Sequence, residues 1–190
     1  MRPWKKLQST PVLTDRWFNV TADRCELPNG VTLEPYYVVH ERDWVHVFAL
    51  DAKGHLLVVR QHRYAAYTTC LELPGGVIDE GEEPLTAAKR ELLEETGHSS
   101  AEWEYVGCMF ANPARQTNRI HLFLARNVEA TDTQSLDASE EIEYSMQPLK
   151  AVQAAIDGGE FSQALHIASY YHCLQLVRGR DKDQCVVQTR

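Results

Sequence analysis

Seven of the chain's 27 acidic residues fall in the 22 positions from Gly76 to Gly97, and their spacing constrains the fold more than any other feature. Pro84 suits the first turn of a helix and Gly97 suits the position just past a helix end, so the spacing predicts a helix opening at Pro84 and closing at Gly97. At about 100° per residue, Glu91, Glu94 and Glu95 share an arc of about 100°, while Leu85, Leu92 and Leu93 occupy another sector. One face is therefore acidic and another faces a core. Ala87 and Ala88 lie in or beside the acidic arc one turn earlier, which predicts open space beside the carboxylates.

Like charges at i, i+3 and i+4 repel, so this face requires a cation. Arg90 can help one carboxylate but not Glu82, Glu91, Glu94 and Glu95 together. Hard divalent ions take oxygen ligands, and Mg²⁺ uses one or two carboxylates while keeping waters and substrate phosphates. Spacing alone leaves two readings open: a solvated acidic helix face, or a Mg²⁺ or Mn²⁺ site bridging to a phosphorylated ligand.

The flanking sequence alternates strand and turn signals. Residues 16 to 39 read as a strand pair turning at Asn29-Gly30, a favoured type I′ dipeptide. A second hairpin runs through Trp44–Leu50, the turn 51–54 and His55–Arg60. A short strand at 70–73 ends where Pro74-Gly75-Gly76 must bend. Strands follow near 103–110 and 119–125, then a polar loop over 128–140 and helices over 148–157 and about 162–178. The order predicts an α+β class or an α/β/α sandwich, with a mixed sheet.

Composition narrows the function classes. The net charge of −8 argues against a chain that wraps nucleic acid or lies on an anionic membrane, since both require a basic patch. The acidity is local: residues 72–104 hold ten acids against Lys89 and Arg90, and the remaining 157 residues hold 17 of each sign. No apolar run reaches the roughly 18–20 residues of a membrane span and the N-terminus lacks a signal-peptide core, so a cytoplasmic location is expected. Cys25, Cys70, Cys108, Cys173 and Cys185 are odd in number and scattered, and are expected to stay reduced. At 190 residues, one domain with a full core is expected.

The run Gly76-x5-Glu82-x7-Arg90-Glu91-Leu92-x-Glu94-Glu95-x-Gly97 resembles the signature of the Nudix hydrolases at all seven fixed Gly, Glu and Arg positions. It departs at His98, where the family is aliphatic. Arg60-Gln-His-Arg63-Tyr-Ala, Leu71-Glu-Leu-Pro-Gly-Gly76, Pro113 and the C-terminal Glu140-Glu-Ile-Glu and Ser162-Gln-Ala-Leu look like the ADP-ribose pyrophosphatase branch. The resemblance implies a Nudix α/β/α sandwich with a mixed sheet over 43–178. It also implies an N-terminal antiparallel β extension over 1–42 that builds a homodimer. The remaining tail, 179–190, is expected to fray.

By the same resemblance, Glu91 and Glu95 are the main ligands of Mg²⁺ or Mn²⁺, with Glu94 and the Gly75 carbonyl joining them, while Glu82 and Arg90 fix the loop-helix geometry. Glu140, with Glu141 second, is the expected catalytic base, and Glu94 takes part through the metal. Arg63 would contact substrate phosphate, Trp17 or Phe18 would stack on the nucleobase, and Pro113 would shape the loop over the terminal ribose. That loop, 112–119, lacks the Gly-rich stretch and acidic residue of the branch, so Arg115 and Arg119 are expected to meet another negative group or a different sugar. The expected activity is hydrolysis of the pyrophosphate in ADP-ribose or a related nucleotide sugar. Alternatives are a GDP-mannose pyrophosphatase and a non-catalytic Nudix regulator that holds a nucleotide. The eight His residues show no metal spacing and are expected in core or surface roles.

Overall fold

The structure is a computed structural model that describes residues 2–187, with side chains described to residue 179. It divides into two compact units, one formed by Met1–Asp43 with Met109–Ile120 and the other by Trp44–Cys108 with His121–Arg190.

In the first unit, β1 (Lys5–Thr14), β2 (Asn19–Glu26) and β3 (Thr32–Val39) form an antiparallel sheet in that order. Strand β1 is exposed at all ten positions and carries Pro11, so it shows none of the buried/exposed alternation that identifies a strand in sequence. That explains its absence from the sequence reading. The turn at Asn29-Gly30 is present but longer than a two-residue type I′ turn. The Leu27 N–H donates to the Val31 carbonyl at 2.8 Å, and only Gly30 has positive φ, at 84°. Residues 112–119 lie along the end of β3, where Val39 bridges to Gln116 and the Tyr36 hydroxyl donates to the Ala114 carbonyl at 2.6 Å.

The second unit is the sandwich. Strands β4 (Trp44–Ala49), β7 (Gly75–Val77), β9 (Glu102–Phe110) and β10 (Arg119–Arg126) form one sheet in the order β7-β4-β10-β9. Strand β7 is antiparallel to β4. The Leu50 N–H donates to the Ala125 carbonyl and the Val128 N–H to the Leu50 carbonyl, a forward step along both chains that marks β4 and β10 as parallel. A second sheet holds β5 (His55–Arg63), β6 (Thr68–Glu72) and β12 (Ile142–Pro148) in the order β12-β5-β6. A small pair joins β8 (His98–Ser99) to β11 (Glu129–Ala130).

Strands β4 and β5 therefore do not form the expected hairpin. Their turn is tight, with Asp51 Oδ1 accepting the Lys53 and His55 N–H groups, but among the described residues the ladder between them is one isolated bridge, at Leu50 and Leu56. Each has both edges taken by other strands, β4 by β7 and β10, β5 by β12 and β6. Strand β12, which falls between the loop expected over 128–140 and the helix expected from 148, completes the second sheet.

The period-two alternation of β4 positions the helices α1 (Pro84–Thr96) and α3 (Ala164–Val187). Val45, Val47 and Ala49 pack with Ala87, Ala88 and Leu92 of α1. On the opposite face, His46 and Phe48 meet Ser169 and Tyr170 of α3. Helix α2 (Leu149–Asp157) packs on β12 and β5. The backbone of α3 stays helical to Val187, well into the segment expected to fray, and residues 188–190 lie outside those described. Cys25, Cys70 and Cys173 are free thiols, and the Cys185 side chain lies outside the described residues. Among the described residues, no helix is long and apolar enough to cross a membrane.

Helix α1 begins and ends as its sequence requires. Pro84 occupies the first turn, and Gly97, at φ 67°, donates its N–H to the Leu93 carbonyl. The next carbonyls are capped from outside the helix. Gln134 Nε2 donates to the Glu95 carbonyl at 2.6 Å, the Ser135 N–H to that of Glu94, and the Thr131 and Asp132 N–H groups to that of Gly97. The loop leading to Glu140 is thereby anchored to the acidic end of α1.

Candidate active site

The site is built where β7 passes the last two turns of α1. A Cβ on Gly75 would stand 2.1 Å from the Val45 carbonyl oxygen, and one on Gly76 would stand 2.5 Å from Glu91 Oε1. Only glycine lets the backbone approach this closely. The Gly75 N–H donates to Glu95 Oε2 at 2.9 Å. Glu91 and Glu95, one turn apart, are 9% and 3% exposed, so two carboxylates lie almost out of water beside a glycine backbone.

Arg90 does more than the one neutralisation expected of it. Its Nε and Nη2 grip both oxygens of Glu82 at 3.0 and 2.9 Å, its Nη1 donates to Glu91 at 2.9 Å and Glu94 at 3.1 Å, and Nη2 also reaches the Val77 carbonyl. The planar fork makes this possible, because its donors leave in several directions from one rigid group. Ala87 and Ala88 also differ from expectation: both are fully buried in the core, so they open no space beside the carboxylates. Leu85, expected to face the core, is exposed on the first turn.

Burial pushes the Glu95 carboxyl well above its ordinary range; the Gly75 N–H opposes this, and the Glu91 and Glu140 charges add to it. Burial likewise raises Glu91, with Arg90 opposing and Glu94 and Glu140 adding. Negative charge here thus exceeds what the protein compensates. Among the described residues, no group of three or more His, Cys, Asp or Glu side chains is arranged to hold a metal ion; Glu91 and Glu94 converge on Arg90. The donor set nonetheless fits a hard divalent cation. It offers carboxylate oxygens alone, in a cradle that a side chain on Gly76 would fill.

Other expected residues divide between the units. Glu140 is exposed and acts electrostatically on Glu91 and Glu95; its carboxylate accepts the Asp137 N–H at 3.1 Å. Arg63 also acts on Glu95, and its guanidinium is gripped edge-on by Glu72. Trp17, Pro113 and Arg119 lie in the first unit. Trp17 is 74% exposed beneath the Arg16 guanidinium, at 4.4 Å from its ring centroid, and Phe18 is also exposed, so neither is a core residue. Pro113 sits in an exposed turn in which the Asn112 carbonyl accepts the Arg115 and Gln116 N–H groups. Arg119 lies over Phe110 at 4.8 Å, and its N–H donates to Asp43 Oδ1. Arg115 lies over Tyr36 at 5.7 Å. Gln134 was not identified in sequence, because an amide in a polar loop carries no local signal until the helix end it caps is known.

A buried polar network adjoins the site. Fully buried Glu72 accepts both Arg63 bonds and contacts His166 Nε2 at 3.2 Å. The Leu73 N–H donates to His166 Nδ1, and the His46 ring stacks on His166 at 3.8 Å. His46 Nδ1 meets Ser169 Oγ at 2.9 Å. Burial, seconded by Arg63, pushes the His166 imidazole down to about 3. Below about pH 6.5 the unfolded chain takes up a proton here that the folded chain refuses, so stability falls as pH falls, by about 1.4 kcal/mol per unit for this residue. Urea unfolding between pH 7 and 5 is expected to show this steeper decline in the wild type than in His166→Gln. Equal slopes would mean that His166 takes up its proton in the fold as readily as in the unfolded chain.

A layered α/β/α sandwich with a glycine-lined carboxylate cluster at a helix end is an arrangement suited to cleaving phosphorus anhydrides. The chain belongs to the Nudix hydrolase family: the sequence model of the NUDIX domain matches residues 40–165. A second model, described as the nucleoside diphosphate sugar hydrolase N-terminal domain, matches residues 4–39, the span of β1 to β3. The chain is 27% identical over 161 residues to an ADP-ribose pyrophosphatase of Bacillus subtilis, covering 84% of this chain and 86% of that one. It is also 27% identical over 184 residues to a GDP-mannose pyrophosphatase of Citrobacter koseri, covering 87% and 94%. A crystal structure of an ADP compounds hydrolase superposes with a TM-score of 0.84 at 21% identity, covering 95% of this chain and 97% of that one, which establishes the shared fold.

Proposed function

We propose that the protein hydrolyses the pyrophosphate bond of ADP-ribose or a related nucleotide sugar, releasing a nucleoside monophosphate and a sugar phosphate. The observation that carries this reading is the buried Glu91–Glu95 pair against the Gly75-Gly76 backbone. Its chain is also similar, over most of its length, to enzymes named for nucleotide-sugar pyrophosphate cleavage.

Glu91, Glu94, Glu95 and the Gly75 carbonyl would hold Mg²⁺ or Mn²⁺. When bound, the cation supplies charge neutralisation for the diphosphate and a water of lowered pKa. Glu140 accepts the proton of the attacking water, from a loop tied to the end of α1 through Gln134. Arg63 spends two of its five N–H donors on Glu72, which leaves three for non-reacting phosphate oxygens. Arg90 and Glu82 keep the loop ahead of α1 in register with it. Trp17 stacks on the nucleobase, while Pro113 and Arg119 bound the sugar end. Residues 1–42 form a dimerisation segment, and the working form is a cytoplasmic homodimer with neither nucleic acid nor membrane as partner.

A phosphate-release screen over ADP-ribose, ADP-glucose, GDP-mannose and NADH, coupled to a phosphatase and run with Mg²⁺ or Mn²⁺, tests this reading. Turnover of ADP-ribose above the others is expected. Turnover of none would overturn it. A second reading, GDP-mannose as preferred substrate, is allowed by the 112–119 loop, which lacks the acidic residue expected of the ADP-ribose branch. Sedimentation at micromolar concentration tests the dimer, and a monomer there would refute it.

A further inference from the structure

Arg63 is 43% exposed at its side chain, yet one whole edge of its guanidinium is fixed. Its Nε donates to Glu72 Oε1 at 2.9 Å and its Nη2 to Glu72 Oε2. A bidentate grip of this kind sets the plane of the guanidinium as well as its position. It works only if the carboxylate is itself held, and Glu72 is fully buried at the end of β6, where its own rotation would turn the arginine with it.

What holds Glu72 comes from α3. The Leu73 N–H occupies His166 Nδ1, which assigns the imidazole proton to Nε2, and Nε2 lies 3.2 Å from Glu72 Oε2. The ring cannot tilt away, because His46 is stacked on it at 3.8 Å with 18° between planes and is itself tied to Ser169 of α3. Gln61 Nε2 stands 3.5 Å from the same Glu72 oxygen. Two histidines and a serine from β4 and α3 thus brace one carboxylate, whose outward face carries one arginine.

Building on the phosphate role given to Arg63 above, we propose that Glu72 and His166 are positioning residues that aim the Arg63 guanidinium at the substrate diphosphate. Neither touches the substrate. Their effect passes wholly through Arg63, so it belongs to substrate binding and disappears when Arg63 is removed.

The test is a double-mutant cycle on the full chain with ADP-ribose as probe, reading KM and kcat separately. Arg63→Ala is expected to raise KM by about 30-fold. His166→Leu, which leaves Glu72 without its imidazole donor, is expected to raise KM about tenfold with kcat within about threefold of wild type. The double variant should match Arg63→Ala alone. His166→Gln, whose amide can both accept from Leu73 and donate to Glu72, should restore KM to within about threefold. Glu72→Gln is run in the same cycle, so a failure of His166→Leu to fold leaves the same question answered. An unchanged KM in both single variants, or a KM effect persisting in the Arg63→Ala background, would overturn the inference while an active wild type keeps the proposed function standing. A wild type inactive on all four compounds of the screen would overturn both.

Discussion

Glu95→Gln is expected to lower turnover about a thousandfold or more while leaving the chain folded. A thousandfold corresponds to about 4 kcal/mol of barrier. The substitution removes a negatively charged oxygen from the proposed cation site, yet the amide oxygen can still accept the Gly75 N–H that Glu95 Oε2 accepts now. Because burial disfavours the charged form of Glu95, a neutral side chain of the same shape should not lower the melting temperature measured without divalent ions. Wild type should gain stability with millimolar Mg²⁺ and lose it again with a chelator, since an ion bound to the folded state shifts unfolding by mass action. The variant should lose most of that gain. Activity near wild type in Glu95→Gln would remove Glu95 from the ligand set.

Arg90→Met should produce the largest loss of stability of any single change at the site, about 2–3 kcal/mol by urea unfolding without divalent ions. Removing one partner of a buried ion pair costs roughly 3–5 kcal/mol. Arg90 and Glu94 are partly exposed, which reduces the figure, but three carboxylates lose their partner at once. Glu82 first, then Glu91 and Glu94, hold the Arg90 guanidinium above its ordinary pKa, so its charge is constant across the accessible pH range. If Mg²⁺ binds as proposed, to Glu91 and Glu94, part of the loss should return when it is added. A variant as stable as wild type without metal would mean that the three contacts contribute nothing to the fold.

Much of the site could be read from residue order because α1 is short and local rules set its ends. Pro84, Gly97 and the spacing of Glu91, Glu94 and Glu95 specify a capped helix with a charged stripe, and the structure has one. Solvation of that stripe could not be read the same way. The helical wheel placed Ala87 and Ala88 beside open space, but β4 lies across them and buries them. The strand assignments failed where partners are distant. β4 and β5 have the length and turn of a hairpin, yet each pairs with other strands on both edges. β1 carries no alternation because every residue on it is exposed.

The sequence by itself determined an acidic helix ended by Gly97, with the charge concentrated in one short segment, and it carries the Nudix signature. It could place these carboxylates because residues at i, i+3 and i+4 share one face by helix geometry alone. Only the tertiary structure decided which groups hold which. Arg90 serves three carboxylates, Gln134 ties the acidic loop to the helix end, and His166, 94 residues beyond Glu72, braces the carboxylate that fixes Arg63. These contacts join side chains far apart in sequence, so they exist only once β4, β6 and α3 have packed together.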